Sequence, residues 1–203
     1  MKTNMAVADL TLEGLVHDLN NVFQTIAESA EVLGSDPKWE KLAHTLRRSA
    51  ESGHRIVYSI LETDRAPADL RSVMDNAVPF CQDYLECANR PKMEFVDQID
   101  PEFHLKGDAA QWERVLVNLF LNSAQAGAKN IRIEARGNTI VVSDDGVGIS
   151  PELLPRIFQP RVSTKSIISG LGLYVVQSIV EQNGGSVAAA NRPGGGAAFT
   201  MRI

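Results

Sequence analysis

Four groups of residues in this 203-residue chain have types and spacings that could do chemistry. The first is His17, followed at once by Asp18. An imidazole with a pKa of about 6.5 is a usable nucleophile at neutral pH when a carboxylate holds its other nitrogen. Taken alone, the pair is equally a structural histidine beside an acid. The second group is Asn118 and Asn122, one helical turn apart and so on one face of any helix that holds them. An amide oxygen is a hard neutral ligand, suited to a Mg²⁺ already carried by phosphates. The third is Asp144-Asp145-Gly146-Val147-Gly148, a carboxylate and two glycines closing an apolar run. Such glycines let backbone approach a flat ligand, and a buried Asp144 could accept a hydrogen bond from an adenine amino group. By itself the segment also reads as an ordinary Asp-Gly turn. The fourth is Ser169-Gly170-Leu171-Gly172-Leu173 at the start of a helical pattern, where exposed amides would favour phosphate. Lys165, five residues before Gly170, could add a mobile point charge.

The elements around these groups follow from periodicity. Leu12, Leu15, Leu19, Val22, Ile26, Ala30 and Leu33 alternate steps of three and four, which predicts an amphipathic helix over 9–33. His17 lies roughly 200° from Leu15 and Leu19 on that wheel, on the wet side with Asn20, Asn21, Gln24 and Glu28. Residues 1–7 read as a fraying tail. Gly34-Ser35-Asp36-Pro37 turns the chain into a second helix, with Trp39, Leu42, Leu46, Ser49 or Ala50, Gly53, Ile56 and Ile60 on one face. Two helices cannot hide both stripes well and four can, so a homodimeric four-helix bundle is expected. Packing of the hairpin on its own carboxy-terminal half is the alternative. Thr63-Asp64-Arg65-Ala66-Pro67 reads as a hinge, giving domains 1–64 and 65–203.

Beyond the hinge the pattern becomes mixed. A helix is expected over 70–88, kinked or interrupted at Pro79, with strands over 92–98 and 103–106. A long helix opens at Asp108, and 130–135 and 139–143 form a strand pair joined at Arg136-Gly137-Asn138. A helix over 172–182 and strands over 186–190 and 197–203 complete an α/β sandwich.

Composition narrows the function. The hydrophobic share of 44% and the charged share of 22% describe a globular domain. A net charge of −5 gives no general attraction to nucleic acid or anionic membrane. No apolar run approaches the roughly 20 residues that span a bilayer, and no export signal is present, so a cytoplasmic protein is expected. Cys81 and Cys87 have no metal or redox spacing, and His44, His54 and His104 have no ligand spacing. Neither the glycine-lysine phosphate loop nor the dinucleotide fingerprint occurs.

From Leu12 to Ile203 the chain resembles a two-component sensor histidine kinase of the nitrogen-regulation group, reduced to its dimerisation and catalytic halves. His17-Asp18-Leu19-Asn20-Asn21 is similar to the phosphoacceptor box, Asn118 to Ala126 to the asparagine box, and Asp144 to Gly148 to the first glycine box. Phe158-Gln159-Pro160 resembles the start of the phenylalanine box, and Ser169 to Leu173 the second glycine box. The resemblance implies a helical hairpin followed by a Bergerat-type ATP-binding fold with residues 150–170 as a lid. It implies that Asp144 reads adenine, that Asn122 holds Mg²⁺, and that Gly170 and Gly172 cradle phosphates. ATP would phosphorylate His17, and the phosphoryl group would pass to an aspartate on a response-regulator receiver domain. Asn21 would position water for regulator dephosphorylation. The chain departs from the pattern at Arg161-Val162, Ile168 and Ala197, where the family often has two aromatics, a lid glycine and a threonine. These departures favour a second reading, a non-catalytic histidine phosphotransfer protein with a degenerate ATP domain. A gyrase- or chaperone-like ATPase would need a carboxylate at position 118, where this chain has an amide. With about 16 residues before His17, input would come from a separate sensory partner or from a longer chain.

Overall fold

The computed structural model describes residues 2–61, 69–160 and 171–203, which divide into units Met1–Arg65 and Ala66–Ile203. The hinge expected over Thr63–Pro67 lies outside the described residues.

The first unit is a hairpin of α1 (Lys2–Leu33) and α2 (Glu40–Leu61). The helix begins at Lys2, so the frayed tail is a misreading. Nothing between Lys2 and Asp9 breaks a helix, and methionine and alanine favour one. At the turn, Asp36 Oδ1 accepts from Lys38 N at 2.9 Å across Pro37, and α2 starts beyond it at Glu40, so Asp36 closes the turn rather than capping the helix. The seam between the helices is lined by Val16 and Ala30 on α1 and by Ala43, Ala50 and Val57 on α2, all buried. Small residues bring the helices close. A Cβ on Gly53 would come within 2.4 Å of the Phe23 ring. The stripes read from sequence are only partly the seam: Ala30, Ala50 and Gly53 lie in it, and their larger members Leu15, Val22, Trp39 and Leu42 do not. Leu15 and Val22 are 56% and 53% exposed, and Trp39 and Leu42 about as exposed as each other, at 40% and 39%. The hairpin thus leaves a second apolar stripe in water.

The second unit begins with α3 (Leu70–Cys87), capped by Asp69, whose carboxylate accepts from Arg71 N and Ser72 N. The helix runs through Pro79 without a break, against expectation. Proline removes only its own N–H donor to the carbonyl of Asp75, which sits on the exposed side where water can replace it. Then come β1 (Glu94–Ile99), α4 (Ala109–Gln125), β2 (Asn130–Arg136), β3 (Thr139–Asp144), a 3₁₀ turn (Leu154–Arg156), α5 (Gly172–Gln182), β4 (Ser186–Asn191) and β5 (Ala197–Arg202). The sheet order is β1-β2-β3-β5-β4, with β1 parallel to β2 and every other pair antiparallel.

Ile131, Ile133 and Ala135 of β2, Ile140 and Val142 of β3, and Phe199 and Met201 of β5 alternate into one core. They meet Trp112, Leu116, Leu119 and Phe120 of α4 and Val176, Ile179 and Val180 of α5. The intervening Arg132, Val141 and Thr200 are exposed or half-exposed, so the helices cover one face of the sheet. Residues 103–106, expected as a strand, pair with none. Phe103 and Leu105 are buried, and Lys106 O accepts from Trp112 Nε1 at 2.6 Å, so the segment is an anchored connection into α4. Cys81 lies in the core, and burial pushes its thiol up to about 12, an unreactive state.

Candidate functional site

Asp144 ends β3 and is 3% exposed. A buried carboxylate needs hydrogen-bond donors, and the protein supplies three. Gly146 N and Ala197 N donate to Oδ1 at 2.9 and 3.2 Å. Ser123 Oγ lies 3.1 Å from Oδ2 and also 3.1 Å from Leu119 O, and its single proton serves one of them at a time. Oδ2 therefore keeps acceptor capacity that no donor among the described residues uses. Asp145, next in sequence, does a different job. It accepts from the Asn130 side chain and from Asn130 N and Lys129 N. The Asn130 amide, first among these, holds its carboxyl below the usual range.

The glycines after Asp144 are sites of close approach. A Cβ on Gly146 would meet Ala126 O at 2.9 Å, and Val147 N donates to that same carbonyl. Gly148 has φ +75, and a Cβ there would meet Asn191 Oδ1 at 2.8 Å. Thus the loop lies against the carboxy-terminal end of α4. At the other end of the same helix face, a Cβ on Gly172 would come 3.0 Å from Asn118 Oδ1. Positions 118, 122 and 126 repeat every four residues, so one face of α4 links the Asp144 loop to the start of α5 over about 12 Å. Asn122 stands midway. Asn118 donates to Arg114 O at 2.9 Å, whereas the buried Nδ2 end of the Asn122 amide has no partner among the described residues. The α5 start has no side-chain cap from Leu171, so its first amides are unclaimed by one.

These residues fit a nucleotide. The purine end would lie at Asp144, the phosphate end at the α5 amides, and the orphaned Asn122 amide between them. They also fit Mg²⁺ in one limited sense. Among the described residues no group of three or more His, Cys, Asp or Glu side chains gathers as a metal site. A cation here would rest on Asn122 and on oxygens brought by the ligand. Lys165, Ser169 and Gly170, with Arg161, Val162 and Ile168 of the expected lid, lie outside the described residues. So does the imidazole of His17, although its backbone belongs to α1. Asp18 and Asn21 are exposed on that helix.

Sequence reasoning missed Ser123, Gly196, Ala197 N, Asn191 and Arg192. The Gly194-Gly195-Gly196 run marked a close approach, because Gly196 has φ +85 and its Cβ would fall 1.9 Å from Asp144 O. The other four carry no local signal.

Residues 107–203 match the model of the family described as histidine kinase-, DNA gyrase B-, and HSP90-like ATPases. The match falls within the second unit. Over nearly its whole length the chain is also related to sensor histidine kinases. It is 32% identical over 210 residues to the sensor histidine kinase ZraS of Klebsiella oxytoca, covering 94% of this chain and 44% of that one. Among solved structures, the catalytic domain of histidine kinase ThkA superposes with a TM-score of 0.57 at 26% identity, covering 70% of this chain and 95% of ThkA's. Full-length ShkA, solved with AMPPNP, superposes with a TM-score of 0.60 at 20% identity, covering 94% of this chain and 44% of that one. The chain spans less than half the length of ZraS. Among the described residues, no helix is long and apolar enough to cross a membrane.

Proposed function

We propose that this chain is the dimerisation and catalytic part of a sensor histidine kinase, which phosphorylates His17 from ATP and passes the phosphoryl group to a response-regulator aspartate. The observation that carries the reading is the Asp144 carboxylate, buried, held by protein donors and left with acceptor capacity beside a glycine loop. An adenine amino group fits that acceptor. Asn118, Gly146, Gly148, Gly172 and Leu171 would line the rest of the nucleotide path, with Lys165 and Gly170 contributing from beyond the described residues. A Mg²⁺ at Asn122 would neutralise phosphate charge.

His17 would attack the γ-phosphorus through one ring nitrogen while the bond to the β-phosphate oxygen breaks and ADP leaves. Asp18 would orient the ring and take the proton from its other nitrogen. Asn21, one turn beyond His17, would position water when the phosphorylated regulator is hydrolysed. The two apolar stripes of the hairpin support a homodimer. One is consumed in the α1–α2 seam, while Leu15, Val22, Trp39 and Leu42 remain for a second copy to cover. Input is assigned to a sensory partner or segment outside this sequence.

Incubation with ATP and Mg²⁺, followed by mass spectrometry, tests the first step. An acid-labile phosphate on His17, absent from His17→Gln, is expected. Wild-type protein that binds ATP yet gains no phosphate would overturn it.

A further inference from the structure

The turn between β4 and β5 touches the Asp144–Ile149 loop at both of its ends. The Asn191 amide makes two bonds to the backbone of a single residue. Its Oδ1 accepts from Ile149 N at 2.7 Å and its Nδ2 donates to Ile149 O at 2.7 Å, much as a neighbouring strand would. Arg192 Nη1 donates to Asp144 O at 2.6 Å. The turn itself is stiffened by the Arg192 N to Gly196 O bond at 2.9 Å, and Gly196 lies against the same carbonyl of Asp144. Both ends of the glycine loop are thereby fixed to a segment more than 40 residues later.

Both Asn191 amide atoms and Arg192 Nη1 are taken up by loop backbone in these bonds. What they control is where the loop sits. The Asp144 carboxylate must meet a base edge within hydrogen-bond range, and bond strength falls steeply with distance and angle. We propose that Asn191 and Arg192 are positioning residues that set the purine selectivity of the site by fixing both ends of the Asp144–Ile149 loop. This rests on the reading of Asp144 as the adenine acceptor.

A positional role predicts a selective loss. ATP offers an amino group to Asp144, and GTP offers a carbonyl at that edge, which a carboxylate repels. Loosening the loop should weaken ATP and leave the already poor GTP nearly unchanged.

Binding of ATP and GTP, each with Mg²⁺, should be measured by titration calorimetry on the full chain. The variants are Arg192→Ala, Arg192→Lys, Asn191→Ala and Asn191→Asp, with Asp144→Asn as control. The expected result is a roughly tenfold loss of ATP affinity in each alanine variant with GTP within about twofold, the size of one hydrogen bond. Arg192→Lys should recover most of it, because a single N–H suffices. Asn191→Asp keeps the bond from Ile149 N but sets a carboxylate oxygen against Ile149 O in place of a donor, so its loss of ATP affinity should be at least that of Asn191→Ala. If the alanine variants do not fold, Asn191→Asp alone decides through its ATP-to-GTP ratio. Wild-type selectivity in a folded variant, or equal losses for both nucleotides, would overturn the positioning role while Asp144→Asn still abolished ATP preference. An Asp144→Asn variant that keeps the preference would instead remove the adenine reading itself, and this proposal with it.

Discussion

Gly196→Ala tests how the candidate pocket is built, because the same turn contains its own control. Gly194 and Gly196 have nearly the same backbone, φ +89 and +85. That conformation costs an alanine about 1–2 kcal/mol at either position. A Cβ at Gly194 would meet nothing within 4 Å, whereas at Gly196 it would lie 1.9 Å from Asp144 O and 2.7 Å from Asp144 C. Ordinary contact begins at 3.4 Å. The turn and the end of β3 must therefore part by about 1.5 Å to regain ordinary van der Waals separation. Both atoms belong to backbone, and no rotamer change can absorb the clash. The bond from Ala197 N to Asp144 Oδ1 is already 3.2 Å long. A shift of that size carries it out of range, along with the Arg192 bond to Asp144 O. Loss of a hydrogen bond to a charged group is worth about 1.5–3 kcal/mol. Counting only the bond to the buried Asp144 carboxylate, Gly196→Ala should therefore cost about 2.5–5 kcal/mol in total against about 1–2 kcal/mol for Gly194→Ala. Denaturant unfolding followed by circular dichroism gives the stabilities, and calorimetric titration gives the ATP affinity. Gly196→Ala should bind ATP at least about tenfold more weakly than Gly194→Ala. Two variants with the same stability and the same ATP affinity would refute the close-approach account of this glycine.

Two further outcomes follow from the packing and charge. Gly53→Ala should loosen the hairpin by about 1–3 kcal/mol, because its Cβ would run into the Phe23 ring. Phe23→Leu in the same chain should restore part of the lost melting temperature, and an unchanged melt for Gly53→Ala would refute the tight crossing. Asp145 has its folded pKa held below the ordinary 3.8, first by the Asn130 side chain. Its stabilisation is thus fully present above that ordinary value and is lost as pH falls through the lower folded value. Asn130→Ala should then cost under about 1 kcal/mol at neutral pH, since the carboxylate is exposed, and the deficit should shrink as pH falls below the ordinary 3.8. A deficit that stays constant from neutral pH to acid would refute the charge origin.

How far the sequence determined this fold depends on whether a signal was local. Asp108 caps α4 and Asp69 caps α3 because each needs only the residues that follow it. The Gly137-Asn138 hairpin is likewise a two-residue decision, and Arg136 pairs with Thr139 across it. Residues 103–106 mislead for the opposite reason. Alternating burial of Phe103 and Leu105 is what a strand would show, but a strand also needs a neighbour to bond, and no residue type announces that one is missing. The hairpin stripe misleads more usefully. Leucines at three-four spacing mark a face that must be covered, but the seam between α1 and α2 takes the small members of the stripes, Ala30 and Ala50, together with their neighbours Val16 and Ala43. The large side chains are left over.

The candidate site divides along the same line. Asp144, Gly146, Gly148, Asn118 and Asn122 were legible because each pattern closes within a few residues. The groups that aim Asp144 were not, since Ser123 comes from α4, Ala197 from the neighbouring strand β5, and Asn191 and Arg192 from the end of edge strand β4 and the turn after it. Their placement depends on strand register, with Ser143 opposite Ala198 on β5 and Asn191 opposite Ala197. Register also changes the meaning of Ala197. Read as a side chain, it is an absent threonine hydroxyl and weakens the case for a working pocket. Read in the fold, what it contributes to Asp144 is a backbone N–H, which any residue but proline would supply. The substitution removes a side-chain donor that this carboxylate, already served by Gly146 N and Ser123 Oγ, does not need to remain satisfied.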